Sequence, residues 1–262
     1  MEPFILIDTH AHPYLQEFDA DLDAVLQRAH AAGVKKIYLP NIDTDTLIPL
    51  QALVATYPGI CFPMTGLHPC SVDADYVASL SAIRSAVEQH PCVAIGEIGT
   101  DMYWDKTYAY EQEVCFREQL VIAKARKLPV VIHSRETLDW NIRIVRETWG
   151  ESLRGVFHCF TGSVEQARQI IEMGFFLGIG GVLTFRNSGL AEVVAQLPLA
   201  SLVLETDAPY LSPHPHRGKR NEPGFLGLIA QKLADCMDIT VKEVAQSTTA
   251  NAARLFGSEN TG

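Results

Sequence analysis

Eight short apolar runs, rich in branched residues, recur along this chain at 5–8, 34–39, 60–65, 92–99, 129–133, 155–160, 175–179 and 202–207. Between and after them lie stretches with helical spacing, at 21–32, 44–57, 75–90, 110–127, 137–149, 163–173, 189–196 and 224–237. The first of these carries Leu22, Val25, Leu26 and Ala29 on one side and stops at Gly33, a residue type that closes helices well. Short continuous apolar runs suit strands buried on both faces. A helix between consecutive strands implies parallel pairing and right-handed crossovers. Eight such units in 262 residues fit a single α/β domain over 1–262, a closed (β/α)8 barrel, with a doubly wound open sheet as the runner-up. Thr240-Val241-Lys242-Glu243 has the form of a capping box for one more helix, to about 256.

The strands share a way of ending. His10 and His12 follow the first, Glu97 ends the fourth, His133 the fifth, His158 the sixth and Asp207 the eighth. In a barrel these points converge on the C-terminal mouth, where active sites of this fold sit. Histidines scattered over a surface would not return repeatedly to strand ends. Four imidazoles and two carboxylates exceed what one catalytic zinc takes, and they suit two divalent ions, Mg, Mn or Zn, bridged by one carboxylate. Glu97 is the expected bridge, because its strand lies between those carrying the two histidine groups. His10, His12 and Asp207 are assigned to one ion, and His133 and His158 to the other. Two such ions about 3.5–4 Å apart activate water and neutralise the charge that builds on a phosphoryl group. Asp207 is also placed to take the proton of the attacking water as general base.

Charge and cysteine usage narrow the surroundings. A net charge of -10 does not suit a protein that coats duplex nucleic acid, so any attraction to a polyanion must be local. Six cysteines without a CxxC spacing fit reduced thiols in a cytoplasmic protein. No apolar run approaches the roughly 18 residues that span a bilayer, and no signal-peptide pattern opens the chain. The expectation is a cytoplasmic protein with no membrane partner, a monomer being favoured.

Seven motifs then stand in order along nearly the whole chain. They are His10-Ala11-His12, Gly66-Leu67-His68-Pro69, Gly96-Glu97-Ile98-Gly99, His133-Ser134-Arg135, His158-Cys159-Phe160-Thr161-Gly162, Glu205-Thr206-Asp207-Ala208-Pro209-Tyr210 and Arg220-Asn221-Glu222-Pro223. This set resembles that of the TatD family of metal-dependent deoxyribonucleases, within the amidohydrolase superfamily. The resemblance implies a TIM-type barrel, divalent metals and hydrolysis of phosphodiester bonds in DNA, often from the 3′ end of single strands. It agrees with the ligand assignment at His10, His12, Glu97, His133, His158 and Asp207. The family usually continues Gly-Leu-Asp-Tyr where this chain has Gly99, Thr100, Asp101 and Met102, followed by Tyr103 and Trp104. Pro13 stands where Leu is common. Superfamily barrels also hydrolyse amides, lactones, phosphotriesters and aminoacyl esters, so a small phosphoester or a mischarged tRNA is the alternative substrate. Many binuclear members bridge their metals with a carboxylated lysine on the fourth strand; Glu97 stands there instead and favours the nuclease branch. A non-catalytic metal-binding barrel is the third possibility, but its signature, a missing ligand or base, is not found.

Further residues are candidates for substrate contact or support. His68, at the end of the third strand, is expected to contact a substrate phosphate or protonate the leaving group, the alternative being a structural histidine held by Pro69. Glu205 is expected to partner a ligand histidine from behind, and Asp8 to do the same for His10. The loop 214–223 is basic, and Arg220 is expected to fork onto a phosphate with Asn221 beside it. Arg217 and Lys219 add charge to the same loop. Arg135 either reaches the site or is exposed, and Tyr103 and Trp104 either stack on a nucleobase or pack their loop. Cys159 is expected to point away from His158, into the layer between barrel and helices.

Overall fold

The computed structural model describes residues 4–148, 150 and 153–257. Strands β1 (Leu6–Asp8), β2 (Val34–Leu39), β3 (Cys61–Thr65), β4 (Ala94–Asp101), β5 (Val130–Arg135), β6 (Gly155–Phe157), β7 (Phe176–Ile179) and β8 (Leu202–Leu204) form one sheet in chain order. Every neighbouring pair is parallel. The helices between them are α1 (Leu22–Ala31), α2 (Leu47–Thr56), α3 (Tyr76–Gln89), α4 (Ala109–Arg126), α5 (Leu138–Thr148), α6 (Val164–Glu172) and α7 (Leu190–Val194), with α8 (Leu226–Met237) and α9 (Val241–Phe256) after β8. The architecture is the (β/α)8 barrel expected from the sequence. The end expected at Trp149 for the fifth helix lies outside the described residues. Among the described residues no helix is long and apolar enough to cross a membrane.

Two strands stop three residues before the C-terminal ends of their apolar runs. The sixth stops at Phe157 rather than 160, and the eighth at Leu204 rather than 207. Cys159 (φ 47) and Asp207 (φ 57) are in the left-handed region, which a strand cannot include, so the chain turns where it reaches the mouth.

Closure depends on those turns. Between β1 and β8 a single Ala11–Ala208 bridge replaces a regular ladder. The seam is drawn together by Thr9 N–H to the Leu204 carbonyl (3.0 Å), Asp207 N–H to the His10 carbonyl (2.9 Å) and His12 N–H to the Ala208 carbonyl (2.7 Å). The barrel therefore closes through the residues that flank the candidate ligands.

Alternate strand residues feed two separate apolar layers. Leu6, Ile37, Leu39, Ile95, Val130, Ile132 and Leu204 pack against the surrounding helices. Ile7, Tyr38, Met64, Val131, Val156 and Val203 fill the interior together with Leu255 and Phe256 of α9. That helix opens on the expected capping box of Thr240 and Glu243. It crosses the N-terminal ends of the strands, where Asn251 donates to the Leu199 and Leu202 carbonyls. Phe256 stacks on Tyr38 at 4.0 Å between ring centroids, so α9 plugs the barrel from the end opposite the mouth. Phe256→Ala should cost about 3–5 kcal/mol and lower the melting temperature by roughly 6–20 °C. Metal content of the folded protein should be unchanged, as a melt paired with metal analysis would show.

Candidate metal centre

All six sequence-predicted ligands meet at the mouth. On one side, His10 Nε2 and His12 Nε2 are 3.2 Å apart. Glu97 Oε2 lies 3.2 Å from the first and 3.9 Å from the second, and Asp207 Oδ1 lies 3.6 Å from both. On the other side, Glu97 Oε1 lies 2.7 Å from His158 Nε2 and 3.0 Å from His133 Nδ1. One oxygen of Glu97 thus faces His10 and His12 and the other faces His133 and His158, while His158 also lies within 4.8 Å of donor atoms of His10 and Asp207.

Hydrogen bonds behind the rings fix which nitrogens face inward. Tyr14 gives its only proton to the Pro40 carbonyl (2.5 Å), so its oxygen accepts from His12 Nδ1 (2.9 Å). The His12 Nε2 lone pair is thereby left for the site. His133 Nε2–H donates to Asp101 Oδ2 (2.8 Å), which leaves Nδ1 facing Glu97. Glu205 Oε1 accepts the Cys159 N–H and lies 3.3 Å from His158 Nδ1, which places the carboxylate behind a candidate ligand. A Cβ on Gly178 of β7 would come within 2.2 Å of the Glu205 carboxylate, so glycine there makes its room. Gly99, at φ 139, lies where a Cβ would meet the His133 carbonyl at 2.1 Å. Glycine lets β4 pass this close to β5 and carry Asp101 to its partner.

His68 joins the second group but in a different way. Its Nδ1 accepts the Cys70 N–H (3.0 Å), so the ring proton of the neutral form sits on Nε2, which lies 3.6 Å from Glu97 Oε1. A nitrogen that carries a proton is a donor, not a ligand.

The electrostatics call for cations. Burial opposes charge on Glu97, but the imidazoles of His158, His10 and His68 outweigh it and hold the carboxyl well below the usual carboxylate range. Burial likewise opposes charge on His133 and His158, yet the carboxylates around them raise both. Asp207 is lowered, because the adjoining histidines outweigh its burial. Nitrogen and oxygen donors converge within 2.7–3.9 Å, an arrangement that either protons on the imidazoles or cations bound between them stabilise. Imidazole and carboxylate donors in this number fit divalent ions.

Several supporting roles differ from the sequence expectation. Asp8 does not touch the His10 ring; it accepts from the backbone N–H groups of Thr206 (2.9 Å) and His10 (3.3 Å) and from the Thr206 hydroxyl (2.6 Å). It therefore fastens the seam, and burial pushes its carboxyl up to about 8. Arg220 is not free for a phosphate, since it grips both oxygens of Asp21 (2.7 and 2.8 Å) and the Glu17 carbonyl (2.6 Å). Asn221 is fully buried rather than exposed to substrate. Its Nδ2 donates to the Thr206 and Tyr210 carbonyls and its Oδ1 accepts the Glu222 N–H, so it braces the loop that carries Asp207. Cys159 sits in the turn after β6 and lines the same cavity as His158, instead of pointing into the helical layer. Burial pushes its thiol up to about 12, which leaves it unreactive. Sequence reasoning did not assign Tyr14 or Asp101 to the site. The signal was faint: Tyr14 lies two residues beyond His12 in the turn that follows β1, and Asp101 four beyond Glu97 at the end of β4.

A model of the family described as TatD related DNase matches residues 7–257. The chain is 39% identical over 253 residues to the uncharacterized metal-dependent hydrolase YabD of Bacillus subtilis, covering 96% of this chain and 99% of that one. It is 34% identical over 246 residues to the 3′-5′ ssDNA/RNA exonuclease TatD of Yersinia pseudotuberculosis, covering 92% and 95%. Among solved structures, the TatD homolog YjjV of Escherichia coli K12 superposes with a TM-score of 0.91 at 35% identity, over 96% of this chain and 97% of that one. Barrel, ligand cluster and relatives together define a metal-dependent hydrolase. Within that class, the chain belongs to the TatD-related DNase family.

Proposed function

We propose that this protein hydrolyses phosphodiester bonds at the 3′ ends of single-stranded DNA, using two divalent ions held by His10, His12, Glu97, His133, His158 and Asp207. The observation that carries this reading is the division of Glu97, with one carboxylate oxygen toward each histidine group. A pair of divalent cations in such a site supplies Lewis-acid stabilisation for a phosphoryl group and acidifies water. The chain's own groups do the rest. Asp207, whose side chain keeps 13% of its surface open, takes the proton of the attacking water. His68 presents its Nε2 proton to the departing oxygen. Exposed Arg217 and Lys219 on the loop after β8 supply the local positive charge that a chain of net charge -10 lacks overall. The relative named as an exonuclease on single-stranded DNA and RNA supports a nucleic-acid substrate.

A panel separates this function from other ester chemistry. Metal-free protein is reconstituted with Mg, Mn or Zn and offered single-stranded DNA, RNA, an aryl phosphodiester and an aryl carboxylic ester. DNA should be shortened, and a chelator should abolish the reaction. Hydrolysis of the carboxylic ester with DNA left intact would overturn the substrate assignment.

A further inference from the structure

Beside the candidate centre lies a surface with no role in holding its ligands. Tyr103 and Trp104, on the loop between β4 and α4, are 48% and 70% exposed. Their rings meet edge to face at 4.9 Å. Arg135, the last residue of β5, lies with its guanidinium 3.9 Å from the Tyr103 ring centroid and 5.5 Å from that of Trp104. Its side chain forms no ion pair among the described residues, so its charge rests on aromatic faces and stays available to an incoming anion. Two adjacent large aromatics left in water beside a reaction centre are not needed by the core.

The surface is tied rigidly to the ligands. Asp101 Oδ1 accepts the N–H groups of Tyr103 (2.8 Å) and Trp104 (3.2 Å), while its Oδ2 accepts from His133 Nε2 (2.8 Å). Met102 N–H bonds to the Arg135 carbonyl (3.0 Å), which locks the loop to β5. One buried carboxylate thus sets both a candidate ligand and the two aromatic rings. Ser134, the neighbour of Arg135 in β5, lines a cavity of about 470 Å³ together with Thr137, Trp140 and His158 among others. The aromatic pair and the cavity flank the same stretch of β5.

We infer that Tyr103, Trp104 and Arg135 form a stacking subsite for one nucleobase of an unpaired strand, with Arg135 meeting the phosphate beside that base. This rests on the phosphodiesterase reading above. Every base has a π face, so an aromatic platform holds a strand without reading its sequence. A paired and stacked base cannot reach the platform, so the subsite selects single strands and frayed ends. The charge arrangement agrees: an isolated arginine on aromatic rings grips a backbone locally, where the acidic protein as a whole repels it.

The test uses the full chain with metal supplied, and two strands: a single-stranded oligonucleotide and the same strand with abasic residues at its 3′ end. Binding is followed by anisotropy of a label at the 5′ end, and cleavage by gel. Trp104→Ala should weaken binding and raise KM for the base-bearing strand by roughly 5- to 150-fold, with kcat nearly unchanged. Trp104→Phe should recover most of that loss, and Arg135→Gln should weaken binding of both strands and flatten the salt dependence. On the abasic strand, wild type and Trp104→Ala should be equal. Equal losses on both strands, or no loss on either, would overturn the subsite. Trp104-dependent binding without any cleavage would instead leave the subsite standing and refute the phosphodiesterase reading.

Discussion

Replacing Glu97 by Gln should lower kcat/KM for metal-dependent hydrolysis by about 10³-fold or more while the barrel stays folded. The amide keeps the volume of the side chain but turns one of its two inward oxygens into an NH2 group that cannot ligate. Lewis-acid stabilisation is worth several kcal/mol, and each 1.4 kcal/mol is tenfold in rate. Glu97 reaches both histidine groups with separate oxygens, Oε2 at 3.2 Å from His10 and Oε1 at 2.7 Å from His158. If the site holds two ions as proposed, losing Glu97 should remove one of them as well as the rate. Far-UV circular dichroism, metal analysis and steady-state kinetics on the same preparation check this. Full activity with two ions still bound would refute the bridging role.

Asn221→Ala should act through the fold rather than through substrate. The side chain is fully buried and makes three hydrogen bonds, to the Thr206 carbonyl (2.7 Å), the Tyr210 carbonyl (2.6 Å) and the Glu222 N–H (2.9 Å). Alanine leaves those backbone groups without their partner, at about 1–3 kcal/mol each. A loss of about 3 kcal/mol lowers the melting temperature by roughly 6–12 °C in a domain of this size. Thr206 and Tyr210 bracket Asp207, so weaker metal binding should accompany the lower melting point. A raised KM with unchanged stability and metal content would return Asn221 to the substrate-contact role its motif suggested.

Arg220 and Asn221 show where reading a sequence stops. Arginine in a basic loop after the eighth strand is chemically right for phosphate, but its partner Asp21 stands at the head of α1, 199 residues earlier. Arg28 adds a forked contact to Glu222, so four charges pin the loop to α1. Two arginines hold the Asp21 carboxyl at about 2. Pairing over that separation depends on barrel closure, which no local pattern encodes. The cluster of candidate ligands, by contrast, was legible because chemistry and periodicity coincide: a histidine or acid recurs where an apolar run stops. The bounds of β2 match its apolar run residue for residue. The shortening of β6 and β8 was not legible, since Cys159 and Asp207 enter the left-handed region through tertiary bonds rather than through a glycine. The capping box at Thr240 announced α9, but nothing local showed that Phe256 would plug the barrel.

The seam also explains why the opening histidines do not make a site alone. His10 and His12 meet Asp207 only after β8 returns beside β1, where the Asp207 N–H bonds to the His10 carbonyl at 2.9 Å. Fold closure and assembly of the first half of the centre are one event.

The most direct test titrates metal-free protein with Mn or Zn and follows end-labelled single- and double-stranded DNA in parallel with bound metal. We expect no cleavage without metal, shortening of the single strand from its 3′ end, and activity that rises to its plateau only as the second equivalent binds. Full activity at one equivalent, or intact DNA with both equivalents bound, would contradict a two-ion phosphodiesterase built around Glu97.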